Sequence, residues 1–385
     1  MQPDAPEWGW VVIMRMVKPW SEWIMILFQK PGWKPPHDGW LPSEEQYVQR
    51  VRELIGDDSV PFKVTGVSKW LVNEVYADKY QEGRVICGGD AVHRHPPING
   101  LGSNTCIQDA HNLSWKFAYV LKGLSPDWHK LIVGWADPSL LETYTYERQP
   151  VGAGIVKKAN DGLRDHLPIW EALGFFEKEH NDIRRVMNSL QENTPEAKKR
   201  RAAFEKAVRR TEYEFHAIGV ESNQRYCQDL RSAISIEPED ADKPPVFTKD
   251  SYLYYHPTTY PGCRLPHAWL GTAQPSKMVS TLDLCGKGGF TLLTGIGGEK
   301  WRAAAKELSK KLGFEIRVYS IGPGCDYQDI YFAWSAHREI DESGAILVRP
   351  DLFVGWRAHE WIDGKEDRLA KATWKILGYG EEGRK

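Results

Sequence analysis

The stretch that decides the fold is GDAVHRHPPINGLGSN, which runs from Gly89 to Asn104. It follows Arg84-Val85-Ile86-Cys87, a short apolar segment that predicts a buried strand. Beyond it, apolar residues recur at helical spacing up to Lys122, and Gly123 is the predicted end of that helix. A strand, a loop rich in Gly and Pro, and a helix thus succeed one another, which is the order found at the ligand-binding edge of an open α/β sheet.

Three features of this stretch point to a bound ligand. Asp90 follows the predicted strand, where a carboxylate can accept hydrogen bonds from sugar-like hydroxyls. Gly100 and Gly102 allow the backbone to approach a planar or phosphate-bearing ligand closely. The helix that begins near Ser103 and Asn104 directs free N–H groups and its positive dipole end at the same place. The loop is therefore predicted to stabilise an anionic group, although a single GxG after Pro-Pro is more often a tight turn.

The segments that follow the loop extend the pattern. They are Asp109-Ala110-His111-Asn112-Leu113-Ser114-Trp115-Lys116 and, further on, Leu141-Glu142-Thr143-Tyr144 to Tyr146-Glu147-Arg148-Gln149-Pro150. Together with the loop they resemble the second flavin-binding motif of the class A FAD-dependent aromatic hydroxylases, and within that family the phenol 2-monooxygenases and 2,4-dichlorophenol 6-monooxygenases look most similar. Tyr260 to Leu270, Val348-Arg349-Pro350-Asp351 and Trp356-Arg357 also fit this group.

The resemblance implies a cofactor, FAD, and a set of residues that bind it. Asp90 would bind the ribityl chain of FAD. The other residues would face the isoalloxazine or begin the helix whose N-terminus meets the N1–C2=O edge of the reduced flavin: Pro97, Gly100, Leu101, Gly102, Ser103 and Asn104. No catalytic residue is assigned.

The resemblance also implies a reaction. A phenolic aromatic substrate would be hydroxylated with NAD(P)H and O₂ through a flavin C4a-hydroperoxide, and the choice between NADPH and NADH stays open. The hydroperoxide survives only where water is excluded, which suits a cavity walled by the aromatic-rich strands of residues 8–28. In the full-length family the expected assembly is a homodimer.

The expected fold class is α/β and α+β, over several packed units, because 385 residues exceed the size of one hydrophobic core. Residues 1–83 would be the β-rich remainder of a substrate-binding domain, and residues 84–236 the C-terminal part of a PHBH-like (p-hydroxybenzoate hydroxylase-like) FAD domain with a helical tail. The polar, proline-bearing residues 237–250 would form a linker. Residues 251–385 would form a thioredoxin-like domain of the dimerisation type.

The chain departs from the family pattern in one respect. The family begins with a Rossmann βαβ unit that carries GxGxxG for the FAD pyrophosphate. Three GxG segments lack that context: Gly152-Ala153-Gly154, Gly295-Ile296-Gly297 and Gly322-Pro323-Gly324. The chain is therefore expected to be N-terminally truncated and to retain flavin weakly or not at all on purification.

Two hypotheses follow from this departure. The chain is a fragment of an FAD-dependent phenol-type hydroxylase, or it is a catalytically inactive remnant that acts as a structural or dimerising partner. The intact loop favours a fragment of a hydroxylase. The absent nucleotide-binding unit favours a chain that is inactive by itself.

Composition excludes several other classes of protein. The formal net charge of −2 gives no electrostatic case for nucleic acid or an anionic membrane as partner. Six cysteines without a CxxC argue against a redox-active thioredoxin and suit a reducing compartment, so a cytoplasmic location is expected. His93 and His95 form an HxH pair, but no third ligand is apparent, so no metal site is predicted.

The flanking regions predict both strands and helices. Strands at 8–16 and 22–29 would form a hairpin through Lys18-Pro19-Trp20-Ser21, and a capping box at Ser43 would open a helix ending near Gly56. A strand is predicted at 64–75, and mostly helix at 139–235, with Lys198-Lys199-Arg200-Arg201 on a solvated face. Beyond residue 250 the prediction is strands at 290–294 and 315–321, helices at 299–312 and 327–335, and a hairpin of residues 345–349 and 354–357.

Overall fold

The computed structural model describes residues 5–122, 134–177, 180–226, 231–241, 243–272 and 277–380. The predicted helix end at Gly123 lies outside these residues. Contacts divide the chain into a first unit, Met1–Val72 with Arg164–Arg210, and a second unit, Asn73–Leu163 with Thr211–Lys385. No helix within the described ranges is both long and apolar enough to cross a membrane.

The fold mixes helices and strands, as the expected fold class requires. The strands are β1 (Val11–Lys18), β2 (Glu22–Phe28), β3 (Val75–Tyr76), β4 (Gln81–Glu82), β5 (Val85–Ile86), β6 (His93–Arg94), β7 (Trp269–Gly271), β8 (Met278–Ser280), β9 (Thr291–Thr294), β10 (Arg317–Ser320), β11 (Gln328–Asp329), β12 (Ala345–Val348) and β13 (Val354–Ala358). The helices are α1 (Glu44–Ile55), α2 (Leu101–Leu121), α3 (Thr143–Asp165), α4 (Leu167–Ala172), α5 (His180–Ser189), α6 (Pro195–Arg210), α7 (Glu212–Phe215), α8 (Ile218–Ser222), α9 (Thr281–Leu284), α10 (Glu299–Leu312), α11 (Ala333–His337) and α12 (Arg368–Ile376).

The first unit contains the predicted hairpin and the predicted capped helix. β1 pairs with β2 in antiparallel register, with Val11 opposite Phe28. Ser43 accepts a hydrogen bond from the Gln46 backbone and the Gln46 side chain accepts from the Ser43 N–H, so the capping box forms, and Gly56 ends α1 in the left-handed conformation. Both predictions are confirmed because local turn and cap chemistry determines them.

Two strand predictions need correction. Residues 64–74 contain no strand, and Leu71 is 65% exposed. Apolar residues there match a strand in composition, but a strand also needs a neighbour to pair with its backbone. The segment around Val85 does form a strand, β5, but it pairs only with the two-residue β4 and Val85 is 68% exposed, so it is not buried.

The charged run of α6 was predicted to lie on a solvated face, and this is only half right. Lys198 and Lys199 are exposed. Arg200 donates to the Ala172 carbonyl, and Arg201 donates to the carbonyls of Leu190 and Glu192. The two arginines therefore cap neighbouring carbonyls inside the first unit, because the fork of a guanidinium reaches them while its stem lies along the helix.

The last part of the chain forms a mixed four-stranded sheet in the order β10-β9-β12-β13. β9 is parallel to β10 and antiparallel to β12, and β12 and β13 form the predicted hairpin. The predicted helix at 299–312 matches α10. The helix predicted at 327–335 is wrong in its first half, because residues 328–329 form β11 and pair with β7.

The core of this sheet continues into the earlier part of the second unit. Trp115 and Tyr119 of α2 are buried in the same cluster as Phe290, Trp301 and Trp356. Within the predicted linker, Asp240 is buried and accepts hydrogen bonds from Arg357. The four-part domain division predicted above therefore stays a proposal.

Candidate functional site

Asp90 lies in a tight turn beside the second turn of α2. Gly89 precedes it with φ of 61°, and a Cβ at Gly89 would lie 3.0 Å from Cys106 Sγ, so this position favours glycine. Asp90 is exposed. Its Oδ1 accepts a hydrogen bond from Cys106 Sγ at 3.6 Å, and its backbone carbonyl accepts from Arg94 Nε. A carboxylate has about four acceptor sites, so Asp90 retains capacity for ligand hydroxyls.

The start of α2 is a helix N-terminus without a side-chain cap. Asn99 and Gly100 both have positive φ, of 62° and 64°, and this pair of left-handed residues turns the chain into the helix. Asn99 Nδ2 holds the turn by donating to the carbonyls of Tyr213 and Glu214 at 2.9 Å. Gly100 is the N-cap, makes no side-chain cap, and has nothing within 4 Å of where its Cβ would be. The first N–H groups of an α-helix have no intrahelical acceptor. At this helix start the Gly100 N–H donates to the Pro97 carbonyl at 3.4 Å.

The structure brings the predicted site residues onto one short segment, with two differences from the sequence analysis. α2 begins at Leu101, earlier than predicted, and the Leu101 side chain is buried, so only its backbone is free to face a ligand. The Asn104 side chain is bound to the helix start itself, because its Nδ2 donates to the Gly100 carbonyl at 3.0 Å. Pro97 and Ser103 are exposed, whereas Gly102 lies against the His95 ring.

Asp109 is a buried hub beneath this segment. Its Oδ2 accepts from the Gly89 N–H at 3.1 Å and lies 2.9 Å from His93 Nε2. Its Oδ1 accepts from Arg148 Nε of α3 at 2.7 Å. Burial works to raise the pKa of Asp109, but the His93 hydrogen bond and the Arg148 charge hold it below its ordinary value. Asp109 and Arg148 both belong to the motif segments quoted from the sequence, which by themselves predict no role for either residue.

Two buried tyrosines complete the support of the loop. The ring centroids of Tyr80 and Tyr144 lie 5.8 Å apart, and burial raises the pKa of both phenols. A Cβ at Gly88 would lie 2.7 Å from the Tyr144 hydroxyl, and one at Gly152 would lie 2.0 Å from the Tyr80 hydroxyl. Gly152 therefore leaves room for the Tyr80 side chain, and this packing explains the glycine at that position.

A second buried network lies one and two turns further along α2. Lys116 Nζ donates to Glu147 Oε2 at 2.8 Å, and Asn112 Nδ2 donates to the same oxygen at 2.7 Å. Arg349 donates to both oxygens of Glu147, at 2.6 and 2.8 Å, and to both oxygens of Asp351. Asn112 also donates to Asp351 at 3.0 Å.

The charges of this network compensate one another. Lys116, Glu147 and Arg349 are fully buried. Burial lowers the pKa of Lys116 to about 8, against the opposing pull of Glu147. Burial would raise the pKa of Glu147, but Arg349 and Lys116 hold it well below its usual range. Two cations face two carboxylates, which is the arrangement that lets ionised groups persist away from water.

The two histidines are held by the protein itself. His93 pairs with Asp109, and His95 Nδ1 lies 2.8 Å from the Pro96 carbonyl, with the two rings stacked at 6.3 Å. In the part of the chain that the structure describes, no three His, Cys, Asp or Glu side chains are grouped so as to hold a metal ion.

The arrangement fits the ribityl and isoalloxazine parts of FAD. An exposed carboxylate lies beside a helix whose N-terminus carries no side-chain cap, and the position of Gly100 leaves space in front of it. The carboxylate can accept hydrogen bonds from polyol hydroxyls, and the helix N-terminus suits the electron-rich edge of a flavin ring.

Two family profiles match the chain. The profile described as FAD binding domain matches residues 5–159, and the one described as aromatic-ring hydroxylase, C-terminal, matches residues 258–379. Among curated relatives, 2,4-dichlorophenol 6-monooxygenase of Delftia acidovorans is 43% identical over 98% of this chain and 61% of its own length. Phenol 2-monooxygenase of Pseudomonas sp. strain EST1001 is 41% identical over 92% of this chain and 55% of its length. The chain thus spans about three fifths of the length of these relatives.

Solved structures agree with these matches. The flavin-dependent monooxygenase PieE in complex with FAD and substrate has a TM-score of 0.84 and 39% identity, covering 98% of this chain and 61% of PieE. A ternary complex of aklavinone-11 hydroxylase with FAD and aklavinone has a TM-score of 0.63 and 26% identity, covering 90% of this chain and 54% of that one. The FAD binding domain profile covers the segment that carries Asp90 and the start of α2, and both of these solved structures contain FAD.

Proposed function

Since this chain belongs to the FAD-dependent aromatic hydroxylases, we propose that it supplies two parts of a monooxygenase acting on phenols. They are the flavin-facing loop (residues 89–104) and the C-terminal module (residues 251–385). The observation that carries the proposal is the uncapped N-terminus of α2 beside the exposed carboxylate of Asp90. The reaction would consume NAD(P)H and O₂ and place one oxygen atom on the aromatic ring ortho to its hydroxyl.

In this proposal the chain binds and orients the cofactor. Asp90 accepts hydrogen bonds from the ribityl hydroxyls, while the backbone of Gly100, Leu101 and Gly102 faces the isoalloxazine. Pro97 packs beside the ring, and Ser103 and Asn104 belong to the first turn that faces it. FAD, when bound, supplies the redox and oxygen-activating chemistry. The residues of this chain contribute the fixed dipole and the acceptors, which cost no reorganisation during the reaction.

The proposed architecture follows the family. Residues 1–83 would be part of a substrate-binding domain, residues 84–236 the C-terminal part of a PHBH-like FAD domain, and residues 237–250 a linker. Residues 251–385 would be a thioredoxin-like domain without redox cysteines. The mixed sheet β10-β9-β12-β13 with α10 and α12 supports this last assignment.

We also propose that the C-terminal module forms a homodimer. Phe332 is 75% exposed, and further large apolar side chains near β7, β8 and β11 are exposed as well: Trp269, Met278, Ile330 and Tyr331. Apolar patches of this kind mark interaction surfaces. Sedimentation velocity of Phe332→Glu against the parent chain tests this. A dimer that dissociates more readily in the variant is expected, and a parent chain that is monomeric at all concentrations would contradict it.

The activity is tested with FAD, NADH or NADPH, isotopically labelled O₂, and a panel containing phenol and 2,4-dichlorophenol. The expected product is a catechol carrying one labelled oxygen, with one equivalent of nicotinamide oxidised for each product. Nicotinamide oxidation without labelled product from any phenol would overturn the substrate assignment. No flavin-dependent turnover at all would favour the structural partner instead, which the 43% identity to a monooxygenase does not favour.

A further inference from the structure

One face of α2 is polar although it is buried. Asp109, Asn112 and Lys116 follow at intervals of three and four residues, so they lie on the same side of the helix. All three are buried, and every one of them has a partner on α3. The flavin-facing end of α2 therefore has a polar seam directly behind it.

The two partners on α3 are adjacent in sequence. Arg148 holds Asp109, which in turn holds the Gly89 N–H and His93 on either side of Asp90. Glu147 holds Asn112 and Lys116. A shift of Glu147 would therefore also move Arg148. Through Asp109, it would then change how the loop that carries Asp90 is held.

Arg349 fixes Glu147 from the other side. It comes from the turn between β12 and β13 and forms a bidentate ion pair with Glu147, while its remaining donors reach Asp351 and the Ala233 carbonyl. Ala233 N–H also donates to Glu147, at 2.8 Å. Only a planar guanidinium can satisfy two carboxylates and a carbonyl in this way.

We infer that Arg349 of the C-terminal sheet is a positioning residue for the flavin-facing loop and the N-terminus of α2, acting through Glu147. This rests on the proposed function for its link to FAD. The C-terminal module then fixes the geometry at which the cofactor is held, in addition to its proposed part in dimer contacts. Asn112 and Gly100 are separated by twelve residues of helix, which is about 18 Å at 1.5 Å per residue.

The chain offers a matched control. Arg357 of β13 is also buried and also bridges two carboxylates, Asp240 and Glu339. Its partners lie outside α2 and α3. Arg349→Lys and Arg357→Lys each retain the charge and lose the bidentate geometry, so they should destabilise the chain by similar amounts while differing in what they do to the loop.

The experiment is hydrogen–deuterium exchange on the full chain without flavin, with peptides covering residues 86–105. Arg349→Lys should raise exchange there about tenfold, and Arg357→Lys should raise it only within the C-terminal module. Asp351→Asn keeps the shape of the parent side chain but removes the charge that faces Arg349, and it also alters the acceptor of Asn112. It should give an intermediate increase. This milder variant keeps the test valid if Arg349→Lys does not fold.

Equal protection of residues 86–105 in the parent chain, Arg349→Lys and Asp351→Asn would overturn the inference. So would an equal loss of protection in the Arg357→Lys control. A parallel titration with FAD separates this result from the proposed function. If exchange changes as expected and FAD binds to none of the proteins, the coupling stands and the flavin assignment fails.

Discussion

Arg148 Nε donates to Asp109 Oδ1 across 2.7 Å, and this buried pair joins α3 to α2 beneath the loop that carries Asp90. The same carboxylate receives the Gly89 N–H and lies against His93. A single aspartate therefore determines where the exposed Asp90 is held. Asp90 is the residue proposed to meet the ligand, whereas Asp109 of α2 and Arg148 of α3 hold the turn that carries it.

Gly152→Ala should destabilise the chain by about 1–3 kcal/mol, because the new methyl group would lie 2.0 Å from the hydroxyl of the buried Tyr80. Gly154→Ala is the matched control, two residues later in the same helix, with nothing within 4 Å of its Cβ. It should stabilise α3 by about 0.5–1 kcal/mol, since alanine favours helix over glycine. Thermal and urea unfolding measure both, and a similar effect from the two substitutions would contradict the account.

Asp109→Asn should flatten the acid limb of the stability curve. The pKa of Asp109 is lowered in the folded chain from an ordinary value of 3.8, mainly by His93 and Arg148 acting against burial. Its stabilising contribution is present above that ordinary value and is lost as pH falls through the folded pKa. Urea unfolding between pH 5 and pH 3 gives the dependence of the unfolding free energy on pH. In the variant this slope should be smaller than in the parent, by the equivalent of up to one bound proton. An unchanged slope would show that Asp109 titrates alike in both states.

Lys116→Met tests how the unfolding free energy depends on pH above pH 8. The folded pKa of Lys116 is lowered by burial to about 8, from 10.5 in the unfolded chain. Between these values the unfolded chain binds more protons, so the parent gains stability as pH rises, by at most about 1.4 kcal/mol per pH unit. The difference in unfolding free energy between parent and variant should therefore shift in favour of the parent from pH 8 to pH 10. A difference that stays constant over this range would contradict the burial of a charged Lys116.

Local sequence signals predicted the elements that are fixed by local chemistry. Ser43 and Gln46 close a capping box, the Lys18 to Ser21 turn closes a hairpin, and α10 has the predicted bounds. The predictions from sequence are wrong where pairing with a distant strand determines the local structure. Residues 64–74 form no strand in the described structure, and residues 328–329 form a strand because they pair with β7.

The candidate site shows the same division. The loop from Asp90 to Asn104 was found because glycines and a helix start are adjacent in sequence. The Glu147–Arg349 pair was not found, because the two residues are separated by 202 positions. A signal was present all the same: Asp109, Asn112 and Lys116 place polar groups on one face of α2 at helical spacing, and such a face needs either solvent or buried partners.

The most direct test of the central claim is a fluorescence titration of the chain with FAD and with FMN, which shares the ribityl and isoalloxazine groups. A hydrogen bond to a charged group contributes about 1.5–3 kcal/mol, so Asp90→Asn should raise the Kd for both flavins about 10- to 100-fold. Glu82→Gln, which removes an exposed carboxylate of β4, should leave both values unchanged. A Kd for Asp90→Asn equal to that of the parent would contradict the claim that Asp90 and the start of α2 hold the flavin.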